Sequence, residues 1–141
     1  VSTPLSNSSR PRILLAEDNE VNQKVALRML EKLGYDADLV ANGIDVLKAL
    51  EREAYDLILM DLHMPMMSGI EAAVEIRKRA IVKQPVIVAL TASATSSDRD
   101  RCLRAGMDDY LSKPIQIDQL REKIRTFTTE PVRAEQPGDG P

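Results

Sequence analysis

Five positions in this 141-residue chain carry side chains able to do chemistry together: the adjacent acids Glu17 and Asp18, Asp61, Thr91 and Lys113. Each follows a short apolar run, ILLA, LILM, VIVAL or the weaker YLS. A carboxylate set directly against a run destined for burial is costly unless something compensates it. Two carboxylates about 5 Å apart repel by roughly 3 kcal/mol at an effective dielectric near 20, and a third raises the cost. Lys113 can offset one such charge but not three. A hard divalent cation suits the remainder, because Mg²⁺ accepts one or two carboxylates and keeps several waters. With its ion in place, such a cluster would attract a phosphoryl group rather than another acid.

These residues meet only if the elements beneath them form one sheet. The apolar runs alternate with segments of helical period, the pattern of a parallel sheet built from βαβ units. The first strand is expected at Ile13 to Ala16. Its helix is expected from about Glu20 to Leu33, with Val21, Val25, Met29 and Leu33 inward and Gly34 as the stop. An edge strand at Ala37 to Ala41 mixes Asp with apolar residues, and a second helix after Asn42-Gly43 carries Ile44, Leu47 and Leu50. Leu57 to Met60, apolar throughout, reads as a central strand buried on both faces. Ser68 caps a third helix carrying Ile70, Ala73, Val74 and Ile76, and a fourth strand runs Val86 to Leu90. Ser97 with Asp100 reads as a capping box for a fourth helix closed by Gly106. A short strand at Tyr110 and Leu111 precedes a last helix with Leu120, Ile124 and Phe127 inward. In an open parallel sheet, ligands gather beyond the carboxyl ends of the strands. That rim is where Glu17, Asp18, Asp61, Thr91, Ser112 and Lys113 fall.

Composition bounds the rest. Hydrophobic residues make up 43% and charged residues 29% of the chain, as in a globular protein of one domain. No run is long enough to span a membrane, and the N-terminal residues read as lacking the basic and apolar regions of a secretory signal. The net charge of −3 and the absence of Trp argue against direct nucleic-acid binding. A lone Cys102 and a lone His63 exclude an internal disulfide and a zinc-type ligand set, and fit reduced, cytoplasmic surroundings. Cys102 reads as an inert packing residue, Arg77-Lys78-Arg79 as a solvated helix face, and the methionines around Asp61 as packing and loop residues. Residues 1–11 and 129–141, rich in Ser, Pro and Gly, read as a linker and a flexible tail around a domain at 12–128.

The motifs LLAEDN, LILMDLHMPMMSG, VIVALTA and DDYLSKPI, in that order and spacing, resemble the receiver domain of response regulators in two-component signalling. The resemblance implies a doubly wound five-stranded parallel sheet in the order 2-1-3-4-5, flavodoxin-like, with five helices. It implies that Asp61 accepts a phosphoryl group from a phosphohistidine on a histidine kinase or histidine phosphotransfer domain. Glu17 and Asp18 would hold Mg²⁺ (or Mn²⁺) with Asp61 and the backbone carbonyl of His63. Thr91 would hydrogen-bond the phosphoryl oxygen, Lys113 would pair with it, and Tyr110 would turn inward as Thr91 is drawn to the phosphate. His63 and Ser93 would tune the lifetime of the phosphate. A cis Lys113-Pro114 peptide is implied as well.

The domain would then be a phosphoacceptor switch with self-catalysed phosphotransfer and dephosphorylation, not an enzyme in its own right, and without membrane contact of its own. The stretch from Ile13 to Gly43 is most like receivers at the C-terminus of hybrid sensor histidine kinases. With the missing initiator Met, that likeness suggests an excised module of a kinase tethered to a membrane sensor; a free-standing single-domain regulator is the alternative. Other readings fit less well. A phosphatase of the haloacid dehalogenase type would want a second Asp where His63 stands. A flavin carrier would want a Ser/Thr/Gly-rich loop where EDNEVNQ is acidic. A receiver fold that never takes phosphate would have no reason to gather such groups.

Overall fold

The computed structural model describes residues 10–79, 83–92 and 95–128. The expected tail at 129–141, most of the expected linker and Ser93 lie outside the described residues. Strands β1 (Ile13–Ala16), β2 (Ala37–Val40), β3 (Leu57–Asp61), β4 (Val86–Thr91) and β5 (Asp109–Ser112) alternate with helices α1 (Glu20–Lys32), α2 (Gly43–Arg52), α3 (Gly69–Lys78), α4 (Ser96–Arg104) and α5 (Ile117–Thr128). All strand pairs are parallel and the order is β2-β1-β3-β4-β5. That is the doubly wound sheet expected.

Side-chain alternation splits the central strands between two cores. Leu14, Ile58, Met60, Ile87 and Ala89 face α2, α3 and α4, where Val46, Leu50, Ala73, Ile76 and Cys102 cover them. Ile13, Leu15, Leu57, Leu59, Val88 and Leu90 face α1 and α5, where Ala26, Leu30, Leu120 and Ile124 lie. Every residue of β1 and β3 is buried, which is why these strands read as unbroken apolar runs. Cys102 is free and buried, packing as expected.

Helix boundaries follow local chemistry. Asn19, Asn42, Ser68 and Thr95 each accept a backbone N–H of the first turn. Ser68 and Glu71 complete a reciprocal capping box. Gly34 and Gly106 follow α1 and α4 at φ +90° and +102°, conformations a Cβ would strain.

Three expectations need correction. Val21 and Val25 do not face the core: they are 67% and 42% exposed, and the buried line on α1 is Ala26 and Leu30. Residues four apart advance 40° past a full turn at each step, so a long series of such spacings winds off the buried face. The cap of α4 is Thr95, whose Oγ1 accepts the N–H of Asp98 at 3.2 Å, rather than Ser97. Arg77 is not a solvated residue: it donates to the Gly106 and Pro85 carbonyls, both at 2.8 Å, and to Asp108 at 2.9 Å. It joins α3 to the loops before β4 and β5.

Candidate phosphoacceptor site

The sheet register does the assembling. Ala16 is level with Met60, Asp61 with Leu90, and Thr91 with Ser112. Because the strands are parallel, the residues just past their ends emerge on one rim. Carboxylate oxygens of Glu17, Asp18 and Asp61 lie within 4.8 Å of one another. Glu17 and Asp61 are 1% and 5% exposed, whereas Asp18 is open to solvent. Lys113 reaches in from the loop after β5, with Nζ 3.0 Å from Glu17 Oε1 and 3.3 Å from Asp61 Oδ1.

Glu17 is held at several atoms. Its N–H donates to the Val40 carbonyl at 3.0 Å, and its Oε2 accepts the N–H of Asn19 at 3.2 Å. Asp61 Oδ1 also accepts the backbone N–H of His63 at 3.3 Å, while the imidazole points to solvent. Burial pushes the Asp61 carboxyl above its usual range, and the charge and hydrogen bond of Glu17 push it further. Lys113 and the His63 N–H oppose them without prevailing. Keeping a negative charge on Asp61 is therefore costly, through burial first and the neighbouring acid second.

Thr91, buried at the end of β4, offers its carbonyl to the Lys113 N–H at 2.7 Å, which ties the hydroxyl-bearing residue to the ammonium-bearing one. Tyr110 is level with Ala89, partly packed against the core on the α2, α3 and α4 side, and Arg99 of α4 lies over its ring at 5.1 Å. The Lys113-Pro114 peptide is cis. The rim thus gathers Glu17, Asp18, Asp61 and Lys113, with Thr91 on the adjoining strand end.

Two contributors were absent from the sequence reading. Gly69 lets α3 begin against Asp61: a Cβ there would lie 2.2 Å from the Asp61 carbonyl oxygen, while its N–H donates to Leu62 O at 3.0 Å. The signal was a glycine directly after a helix cap, where a better helix former would ordinarily serve. Gln23, on the first turn of α1, donates its side-chain amide to the Glu17 carbonyl at 2.7 Å. A glutamine in a first helical turn is common, so nothing in the sequence marked it.

The profile of the response regulator receiver domain family matches residues 13–125. The chain belongs to that family. It is 42% identical over 120 residues to hybrid signal transduction histidine kinase K of Dictyostelium discoideum, covering 80% of this chain and 10% of that one. It is 46% identical over 138 residues to histidine protein kinase 1 of Candida albicans, covering 91% of this chain and 6% of that one. The chain thus spans a tenth or less of these relatives' length. Among solved structures, the receiver domain of the sensor histidine kinase PA1611 of Pseudomonas aeruginosa, with a magnesium ion coordinated in its active-site cleft, is 44% identical at a TM-score of 0.79, covering 86% of this chain and 99% of that one. The receiver domain of Saccharomyces cerevisiae Ssk1, solved with the histidine phosphotransfer protein Ypd1, is 35% identical at a TM-score of 0.78, covering 84% and 89%. Among the described residues of this receiver domain, no helix is long and apolar enough to cross a membrane.

Proposed function

We propose that this receiver domain takes a phosphoryl group onto the Asp61 carboxylate from a phosphohistidine of a partner protein. The observation that carries the reading is the charge imbalance at the rim: clustered carboxylates of Glu17, Asp18 and Asp61 against the ammonium of Lys113. The donor set is all hard oxygen, and two of the acids are buried, so it fits Mg²⁺ held by Glu17, Asp18, Asp61 and the His63 carbonyl. Bound there, Mg²⁺ supplies positive charge to the phosphoryl oxygens during transfer; Mn²⁺, also hard, would serve likewise.

The rest falls to the chain's own residues. Phosphoryl transfer through a loose transition state asks for positioning and charge stabilisation more than for covalent chemistry. The rigid β3 strand fixes Asp61 as the attacking group. The phosphorus–nitrogen bond of the donor breaks as a phosphorus–oxygen bond to Asp61 forms. Lys113, already 3.3 Å from Asp61, pairs with the incoming charge, and the Thr91 hydroxyl donates to a phosphoryl oxygen. The product is a mixed anhydride that water hydrolyses, so the domain resets itself, at a rate to which the residues at 63 and 93 contribute.

A phosphate that draws Thr91 inward also alters the Tyr110 environment on the same side of the sheet, and with it the face formed by α4, β5 and α5. The domain is thereby a two-state switch. Exposed Val21 and Val25 stand on the first two turns of α1, directly after the acidic loop, and offer apolar ground beside the rim for a helical phosphohistidine donor. The hybrid-kinase relatives support placing the domain within a longer kinase, on the cytoplasmic side of any membrane sensor, with residues 1–11 as linker.

Incubation with Mg²⁺ and a small acyl-phosphate donor tests the reading. Wild type should gain one phosphoryl group labile in acid and alkali, and Asp61→Asn should gain none. Equal labelling of the two proteins would overturn it.

A further inference from the structure

We infer that Gln23 is a positioning residue of the acidic rim: its side-chain amide fixes the Glu17 carbonyl, and through it the loop that presents Asp18. The inference rests on the Mg²⁺-binding reading above and names a residue which that reading does not use.

The acids of the rim are not equally secured. Glu17 is buried and bonded through its N–H to Val40, and through its carboxylate to Lys113 and Asn19. Asp18 is exposed and follows the direction its backbone gives it. That backbone is the three-residue passage 17–19 between the end of β1 and the start of α1. Its carbonyl at Glu17 is the point where the chain leaves the sheet ladder, and the Gln23 Nε2 donates to it at 2.7 Å. A carbonyl can only accept, so the amide is necessarily the donor in this bond.

Gln23 also makes the first backbone turn of α1, its N–H donating to the Asn19 carbonyl at 2.9 Å. One residue therefore grips the loop on both sides of Asp18, by its backbone after the acid and by its side chain before it. The Asn19 side chain meanwhile caps the helix through the Asn22 N–H at 3.0 Å, fixing the helix end itself. Turning the backbone that carries Asp18 away from Glu17 and Asp61 would strain or break the Gln23 bond.

The residue type matters. The span from α1 back to the Glu17 carbonyl demands a long donor, which leaves Gln, Lys or Arg. A Lys or Arg would bring a second fixed cation to the rim and compete with the divalent ion. A neutral amide donates without changing the charge, so it orders the ligands and leaves their demand for a cation intact.

Gln23→Met keeps length and removes the donor. Titration of folded protein with MgCl2 by calorimetry, alongside the thermal midpoint of the metal-free form, separates the roles. Loss of one ordering hydrogen bond should weaken Mg²⁺ binding about fivefold, with the metal-free midpoint moving little. A lowered midpoint with unchanged Mg²⁺ affinity would mean that Gln23 serves only helix stability and would overturn the inference. So would unchanged values of both. Failure of wild type to bind Mg²⁺ would instead overturn the reading on which it rests, and this inference with it.

Discussion

Strand β3 carries an aspartate at each end, Asp56 just before Leu57 and Asp61 as its last residue. At the entry end, Asp56 is partly buried, which works against its charge, but it accepts hydrogen bonds from the Lys83 ammonium and from the Arg12 N–H at 2.7 Å. Its carboxyl is held below the usual range as a result. Around it, Arg12 pairs with Asp38 and Glu53, and Tyr55, buried and donating to Asp38, has its hydroxyl pushed up to about 12. At the exit end, Asp61 shares a single ammonium with Glu17, and its carboxyl is pushed up. The same residue on the same strand is a finished structural contact at one end and an unfinished electrostatic site at the other. Fold stability does not call for the second arrangement; the proposed capture of a cation and a phosphoryl group does.

The contrast breaks most severely at Asp61. Asp61→Asn should abolish phosphoryl uptake, a loss beyond 100-fold in labelling. Lys113→Ala should slow uptake by about 100-fold, the usual cost of removing one group that stabilises developing charge, without weakening Mg²⁺ binding, since a competing cation has gone. Stopped-flow labelling and Mg²⁺ titration check the two halves of that statement.

Stability should respond in opposite senses at the two ends. Mg²⁺ at 100 times its dissociation constant should stabilise wild type by about 2.7 kcal/mol through mass action, and Asp61→Asn by much less. Asp56→Ala should cost about 2 kcal/mol at neutral pH, because two bonds to a charged group are lost. Without metal, Asp61→Asn should instead raise stability at neutral pH by on the order of 1 kcal/mol, as acid–acid repulsion is only partly offset by Lys113.

The pH dependences follow from the shifts. A carboxyl raised by folding, as Asp61 is, holds its proton more tightly when folded. Its contribution is most favourable below the ordinary aspartate range and is lost as pH rises through the raised value. The gain from Asp61→Asn should therefore vanish in acid. Asp56 behaves oppositely: its contribution is present above the ordinary range and is lost as pH falls through the depressed value. Denaturant melts of both variants between acid and neutral pH check the crossing.

The smallest effect belongs to Tyr110, with Arg99 over its ring. Tyr110→Ala should leave labelling within about twofold of wild type. It should still narrow the difference in partner affinity between the phosphorylated and unphosphorylated forms, measured by titration of the two. The cation–ring contact itself is worth about 0.5–1 kcal/mol at an exposed position.

Much of this was legible because parallel strands turn sequence order into spatial order. Residues after apolar runs had to meet on one rim, and Glu17, Asp61, Thr91 and Lys113 did. The caps at Ser68 and the stops at Gly34 and Gly106 were equally readable, since their chemistry is local. What escaped was set by rotation or by long-range partners. The inward face of α1 turned on the 40° by which a four-residue spacing overshoots a turn. Thr95 and Ser97 each begin a pattern with an acid three residues on, and composition does not choose between them. Arg77 looked like one of three exposed bases, because its partners at Pro85, Gly106 and Asp108 are far along the chain. Gln23 acts on a backbone carbonyl, which leaves no trace in a sequence, and Gly69 left only the mild signal of a glycine directly after a helix cap.

Borohydride reduction of the phosphorylated protein, followed by peptide mass sequencing, tests the central claim most directly, because it reduces an acyl phosphate where it stands. Reduction confined to position 61, and only when Mg²⁺ accompanied the phosphodonor, is expected. Reduction at Glu17 or Asp18, or label taken up equally without a divalent cation, would contradict it.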